Sequence, residues 1–331
     1  MHNGNCSFPQ LLLACLLTRP LMMIVAGVAF FLAAFVEANP LPRASTVSAM
    51  MAAEELAYNT TALFASAAYC PADQTATWSC GESCSVLSGF IPYGSGGDGD
   101  ETQYWYVGYD PTYLKAIVVA HQGTNPDEIG AILDDLDFFL EPLDQTYFPG
   151  ISSSIEVHSG FQASHNRAAS GILTAVQAAM SATGSTHVVL TGHSLGAALA
   201  VLTAVYLPLH LPSGTTYTTN VFGLPRPGNP AFANYVDANI TNFSYVTNKL
   251  DYIPILPGEF LGYKHPSGEK HIVTSGDAAG DWYACQGQDN ESVDCTTGAV
   301  PYIWDGEESD HQGPYGTVYM GTCDSPYSSS K

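Results

Sequence analysis

The pentapeptide Gly192-His193-Ser194-Leu195-Gly196 constrains this chain more than any other feature. An apolar run, His187-Val188-Val189-Leu190, precedes it and reads as a short buried strand. A small-residue segment over 194–207 follows and reads as a helix. A serine on so tight a strand-to-helix turn sits in a strained backbone conformation, and the residues two positions to either side crowd together. Glycine at both places removes the Cβ atoms that would clash. The turn lifts the hydroxyl clear of the sheet, and the helix behind it offers free N–H groups and a positive dipole end. In this context the G-x-S-x-G pattern marks Ser194 as a nucleophile.

A serine hydroxyl is a weak nucleophile near neutral pH, so it needs a base and the base needs an orienting carboxylate. When the serine stands on a strand-to-helix elbow, the acid and then the histidine follow it in the chain. Three histidines qualify: His265 in a polar turn, His271 in an alternating run that reads as a strand, and His311 in a Gly/Pro-bounded loop. The loop gives His311 freedom to turn towards the serine. Asp251, at the end of the strand-like run Phe243-Ser244-Tyr245-Val246-Thr247-Asn248, occupies a carboxyl-end position. Asp237, Asp277, Asp281, Asp305 and Asp310 remain as alternatives.

The rest of the chain alternates strands with helices. Residues 104–109, 116–120, 220–222 and 243–247 read as strands; 161–180 and 231–238 read as helices. Residues 45–68 read as one helix and 94–100 as a solvated acidic loop, whose spacing fits no calcium loop. The pattern predicts one α/β domain over 44–331, of the α/β-hydrolase type, with a mostly parallel central sheet flanked by helices.

The chain is built for export. Residues 21–36 are an unbroken apolar run behind Arg19, and Val36-Glu37-Ala38 resembles a cleavage site, so 1–38 reads as a signal peptide. A membrane anchor is the alternative. Residues 39–43 could be a short pro-segment. Six cysteines remain after the leader, an even number that implies disulfides in an exported chain. Short separations favour Cys80–Cys84 and Cys285–Cys295, which leaves Cys70 with Cys323. Sequons at Asn59, Asn239, Asn242 and Asn290 are candidate glycosylation sites. With 9 Lys+Arg against 31 Asp+Glu, the net charge of −22 excludes the cationic footprint of a nucleic-acid binder and disfavours anionic lipid.

Several ordered segments resemble the fungal class 3 lipases, the Rhizomucor-type secreted triacylglycerol lipases and their feruloyl esterase relatives. They are Tyr69-Cys70 with Trp78-Ser79-Cys80 and Cys84, Val157-His158-Ser159-Gly160-Phe161, the elbow itself, the block from Gly223 through Pro225-Arg226 and Gly228-Asn229-Pro230 to Phe232, Asn248 to Asp251 with Pro254, and Asp310-His311. The resemblance implies the triad Ser194, Asp251 and His311, and the three disulfide pairings just given. It implies an oxyanion hole made by the Leu195 N–H with the N–H and hydroxyl of Thr124, which closes the strand-end run Val118-Val119-Ala120-His121-Gln122-Gly123. The family usually has an aromatic residue and an arginine before that glycine, where this chain has His121 and Gln122. Ile129, Ile132, Leu133 and Leu136 lie on one helical face, where the family carries its mobile lid.

The function so implied is hydrolysis of carboxylic esters through an acyl-enzyme, with no metal or organic cofactor. Triacylglycerol at an oil–water interface is the leading substrate, with transient lipid contact through the lid, and the protein is expected to be a monomer. A feruloyl or short-chain esterase is the alternative within the class, and a catalytically inactive lipid-binding protein the alternative outside it. Apolar stretches 256–261 and 205–211 are candidates for an acyl groove.

Overall fold

Residues 116–121 and 187–192 are apolar on both faces, and strands of that kind need cover on both sides. The computed structural model, which describes residues 46–126, 138–275 and 280–323, places them at the middle of a large sheet. In chain order the elements are β1 (Val47–Ala49), α1 (Ala52–Leu56), α2 (Asn59–Ala67), α3 (Ala72–Thr77), α4 (Gly81–Val86), β2 (Ile91–Gly96), β3 (Trp105–Asp110), β4 (Ala116–His121), β5 (Leu140–Pro142), β6 (Glu156–His158), α5 (Ser159–Thr183), β7 (His187–Gly192), α6 (Leu195–His210), β8 (Thr216–Phe222), α7 (Pro230–Asn239), β9 (Phe243–Asn248), β10 (Glu269–Ile272), β11 (Trp282–Cys285) and α8 (Thr296–Ala299).

The nine-stranded sheet runs β1-β11-β10-β9-β8-β7-β4-β3-β2. Its centre, β4-β7-β8-β9-β10, is parallel throughout. Both wings are antiparallel. The reason is connection length. Only residues 111–115 join β3 to β4, too few for a crossover, so the pair must be a hairpin. Asp110 shapes that turn by accepting from the N–H groups of Thr112, Tyr113 and Leu114 at 2.7–3.1 Å.

Strand alternation divides the core in two. Ile117 and Val119 of β4 join Val188 and Leu190 of β7 under α5 and α6. Ala116, Val118 and Ala120 point to the other face and meet Phe64 of α2, Leu87 and Phe90. Every residue of α6 from Gly196 to Leu207 is buried. A helix with no polar side belongs inside, and α6 packs against both the sheet and α5, which itself lies on the same sheet. This corrects the reading of 205–211 as an acyl groove: Val205, Leu207 and Leu211 are core residues.

Two local expectations change. The single helix over 45–68 is instead β1, α1 and α2. Val47-Ser48-Ala49 pairs with β11, because an unpaired sheet edge captures a β-branched segment that helix propensity alone would have kept. The loop expected over 94–100 begins later, since β2 continues to Gly96 beside β3. The leader (1–38), residues 39–43, the lid residues Ile129, Ile132, Leu133 and Leu136, and Asp277 lie outside the described residues. Among the described residues, no helix is long and apolar enough to cross a membrane.

The cysteines pair as Cys70–Cys323, Cys80–Cys84 and Cys285–Cys295. Glu269, Cys285 and Cys295 come within 4.8 Å of one another, but both sulfurs are held in a disulfide, so no thiolate is left to bind a metal. The sequon asparagines differ in access. Asn239 and Asn242 are exposed and Asn59 is half-buried. Asn290 is buried at 3% and its Nδ2 donates to the Gln286 carbonyl at 2.9 Å, which leaves no room for a glycan there.

Glu269 gives the fold a pH dependence. Its Oε1 accepts from Thr296 N at 2.7 Å and Thr247 Oγ1 at 3.0 Å. Burial outweighs these bonds and pushes the carboxyl up to about 7. The folded value lies above the ordinary 4.5, so the native state keeps a proton that the unfolded chain releases. This contribution is therefore full below about 4.5 and falls as pH rises towards about 7. Glu269→Gln should flatten that fall. Urea midpoints measured across this window test it; a wild-type midpoint that is level there, or a variant that falls just as steeply, would contradict it.

Candidate active site

The elbow is built as its glycines require. Ser194 has φ +59° and ψ −130°, a backbone conformation that L side chains rarely adopt. A Cβ on Gly192 would stand 2.2 Å from the Gly196 carbonyl oxygen, and one on Gly196 2.3 Å from the His121 carbonyl oxygen. Both lie far inside contact distance, so neither position tolerates a larger residue. The Ser194 N–H donates to the Phe222 carbonyl at 2.9 Å, which ties the elbow to the end of β8.

Asp251 follows β9, and His311 lies in a short 3₁₀ turn, Glu308–Gln312. His311 Nδ1 and Asp251 Oδ2 are 2.8 Å apart, and both side chains are fully buried. The second carboxylate oxygen accepts from Ile253 N at 2.9 Å. A carboxylate can only accept, so Nδ1 carries a proton, and in the neutral imidazole Nε2 then holds the lone pair. Among the described residues, that Nε2 has no hydrogen-bond partner.

The other candidates are engaged elsewhere. His271 Nδ1 pairs with Thr247 Oγ1 at 2.8 Å. His265 Nε2 donates to the Pro254 carbonyl at 2.7 Å, and its ring stacks on Tyr245. Asp237 is exposed and accepts from Ser267. Asp310 accepts from Leu250 N and pairs with Lys249. Asp305 is exposed.

Three residues that sequence reasoning missed hold His311 in place. His193 Nε2 lies 2.7 Å from the His311 carbonyl oxygen, so it must donate there. Its Nδ1 then accepts from Tyr69 Oη at 2.6 Å. The Tyr315 hydroxyl donates to the same His311 carbonyl at 3.1 Å. Burial holds the His193 pKa well below its ordinary value, with the nearby His311 adding to the effect, so the imidazole stays neutral. The residue beside the serine thus fixes the backbone of the histidine. Its place inside the elbow motif was the available signal, as was the place of Tyr69 in the Tyr69-Cys70 segment; Tyr315 carried none.

Thr124 lies just past the end of β4, where His121 and Gly192 are register partners. The chain passes so close to the elbow that a Cβ on Gly123 would stand 2.4 Å from the His193 carbonyl oxygen and 3.0 Å from Ser194 Cβ. Thr124, Ser194 and Leu195 line one cavity of about 260 Å³, with Phe161, Ile253 and Leu256 supplying apolar wall. The unusual His121-Gln122 pair has a clear structural role. His121 Nε2 donates to Thr203 Oγ1 on α6 at 2.9 Å, while the Thr203 hydroxyl donates to Leu199 O. Gln122 extends the β3–β4 ladder, since its side chain accepts from Tyr104 N at 2.8 Å.

This arrangement has counterparts among known proteins. Residues 118–261 match the family model of class 3 lipases. A secreted mono- and diacylglycerol lipase of Malassezia restricta is 35% identical over 197 residues, 59% of this chain; the chain spans 61% of the length of that relative. A second secreted mono- and diacylglycerol lipase, from Malassezia globosa, is 31% identical over 229 residues, covering 69% of this chain and 72% of the relative. The triacylglyceride lipase of Rhizomucor miehei superposes with a TM-score of 0.71 at 25% identity, over 84% of this chain and all of that one. A triacylglycerol lipase structure described as having a serine protease triad at its catalytic centre matches with a TM-score of 0.72, also at 25% identity and over the same shares. The parallel-centred sheet agrees with these matches, and the chain belongs to the class 3 lipase family.

Proposed function

We propose that this protein is a secreted carboxylic ester hydrolase acting on acylglycerols through Ser194, His311 and Asp251. The observation that carries the reading is the buried His311–Asp251 pair, whose geometry places a proton on Nδ1 and leaves Nε2 without a partner among the described residues. Ser194 Oγ attacks the acyl carbonyl as His311 Nε2 takes its proton. Asp251 keeps the imidazole in the required tautomer and stabilises the cation that forms. The Leu195 N–H and Thr124 receive the negative charge that develops on the carbonyl oxygen. His311 returns the proton to the leaving alcohol, and water then releases the acyl group by the same steps in reverse.

Secretion is supported by the apolar leader, the disulfides and the secreted relatives. The acylglycerol class is supported by the lipases named among those relatives and by the apolar wall of the cavity. The apolar face over 129–136 would act as a lid at a lipid surface. Tributyrin hydrolysis measured across its solubility limit, beside methyl ferulate and with Ser194→Ala as control, tests the proposal. A rate that jumps when droplets form is expected. Smooth saturation together with clear ferulate cleavage would replace it with an esterase of soluble esters, and no cleavage above the control would remove the enzyme reading.

A further inference from the structure

Four large apolar side chains stand together on the surface. Phe260 is 89% exposed, Trp304 79%, Tyr302 56% and Ile303 50%. All four line one groove of about 430 Å³. Exposed apolar residues scattered singly are ordinary on a protein surface, whereas a group of them around one groove marks an interaction site. The ester chemistry uses none of the four.

Two hydrogen-bonded turns hold the group. Phe260 sits in the 3₁₀ turn Glu259–Leu261, with its ring against Gly258, where a Cβ would stand 2.3 Å from it. Ile303 and Trp304 belong to the 3₁₀ turn Ile303–Asp305, which Tyr302 precedes. Asp305 N closes that turn on Tyr302 O at 2.9 Å, and Glu307 N ties it to Leu250 O at 2.7 Å. The Tyr302 and Trp304 rings stack with centroids 4.8 Å apart and planes at 10°.

Position and charge decide what such a patch meets. Leu256 lines this groove and also the cavity of Ser194, so a surface lying on the patch is brought beside that cavity. Tyrosine and tryptophan, apolar rings with one polar atom, are the side chains that settle at the headgroup level of a lipid layer. Asp305, Glu307 and Glu308 follow Trp304 in the chain and are exposed, and residues 301–323 contain no lysine or arginine. Glu259, which also lines the groove, pairs with Lys264 at 3.2 Å. An anionic lipid surface is repelled by these carboxylates. A second copy of the chain, related by a two-fold axis, would set the same carboxylates against each other. An uncharged or zwitterionic lipid surface meets neither obstacle.

We propose that Phe260, Tyr302, Ile303 and Trp304 form a docking patch for an uncharged or zwitterionic lipid surface, distinct from the segment 129–136, and that the patch holds the Ser194 cavity beside the lipid. The inference rests on the acylglycerol reading above and names the residues that engage the surface of that substrate.

Trp304 itself reports the docking. Of the four tryptophans, Trp105 and Trp282 are buried, and Trp78 is half-buried with its Nε1 donating to Leu87 O. The test mixes the Ser194→Ala protein with phosphatidylcholine vesicles, with and without brominated acyl chains, and with phosphatidylglycerol vesicles. Phosphatidylcholine should shift the tryptophan emission to the blue, and the brominated chains should quench it. Phosphatidylglycerol should bind about tenfold more weakly or less. Adding Ile303→Ser with Trp304→Ser should cut co-sedimentation with phosphatidylcholine vesicles about tenfold or more. Both side chains are exposed, so the same pair in the active enzyme should keep its fold and leave kcat/KM on soluble p-nitrophenyl acetate within about twofold. Vesicle binding without a blue shift, unchanged co-sedimentation of the double variant, or tighter binding to phosphatidylglycerol would overturn the patch while leaving the hydrolase reading intact. A dimer that the double variant dissolves, with no vesicle binding, would do the same and make the groove an interface between copies. No cleavage of the soluble ester above the Ser194→Ala background would overturn the hydrolase reading, and the docking role with it.

Discussion

Ser194→Ala should lower kcat on a short-chain ester by about 10⁶-fold, with the fold intact. Alanine keeps the Cβ of serine, so the backbone at φ +59° changes little. Only the attacking oxygen is removed. Asp251→Asn should cost about 10⁴-fold for a different reason. An asparagine amide can donate to His311 Nδ1, which moves the imidazole proton to Nε2, the atom that must accept from the serine. Both side chains are fully buried, so their mutual contact is what sets the tautomer. The double variant should be no slower than Ser194→Ala alone, since the three groups act as one unit. Burst-free steady-state rates and thermal melts of the three proteins decide it. Residual activity above about 1% in either single variant would remove that residue from the proposed chemistry.

The sequence was most legible where a backbone clash dictates residue type. Gly192 and Gly196 could be read because no Cβ fits beside the Gly196 and His121 carbonyls. The same holds for the sheet centre, where uninterrupted apolar runs mark strands covered on both faces. The choice among histidines was less legible. His265, His271 and His311 are all buried, and only their partners separate them: a backbone carbonyl, a threonine and Asp251. Those partners lie 11, 24 and 60 residues away in the chain, beyond the reach of a local pattern. The Tyr69–His193–His311 link was invisible for the same reason, because 124 residues separate Tyr69 from His193. β1 was misread because its structure depends on the free edge of β11, a tertiary circumstance that no local pattern records.

Asp289→Ala should destabilise the fold by about 3–5 kcal/mol, the usual effect of leaving a buried charge without its partner. Arg226, from the block that carries much of the family resemblance, is 3% exposed. Its Nε donates to Asp289 Oδ1 at 2.8 Å, and its Nη1 reaches the carbonyls of Ile255 and Pro257. Asp289 Oδ2 accepts from His265 N at 3.0 Å. Burial alone would raise the Asp289 carboxyl, but His265 and Arg226 draw it below its ordinary value. This contribution is therefore present above the unfolded carboxylate range and lost as pH falls through the folded value. The pair also bears on the cavity. The carbonyls that Arg226 grips flank Leu256, whose neighbours Ile253 and Pro257 line the wall beside Ser194. Asp289→Ala should thus lower kcat/KM as well as stability, without touching the reacting atoms. An apolar pair, Arg226→Met with Asp289→Leu, removes both charges together and should recover much of the stability. It should not recover kcat/KM, because methionine cannot hold the Ile255 and Pro257 carbonyls. Denaturant unfolding of the three proteins, paired with kinetics on one soluble ester, separates the two effects. If the double variant regained both, Arg226 would be a packing element and nothing more.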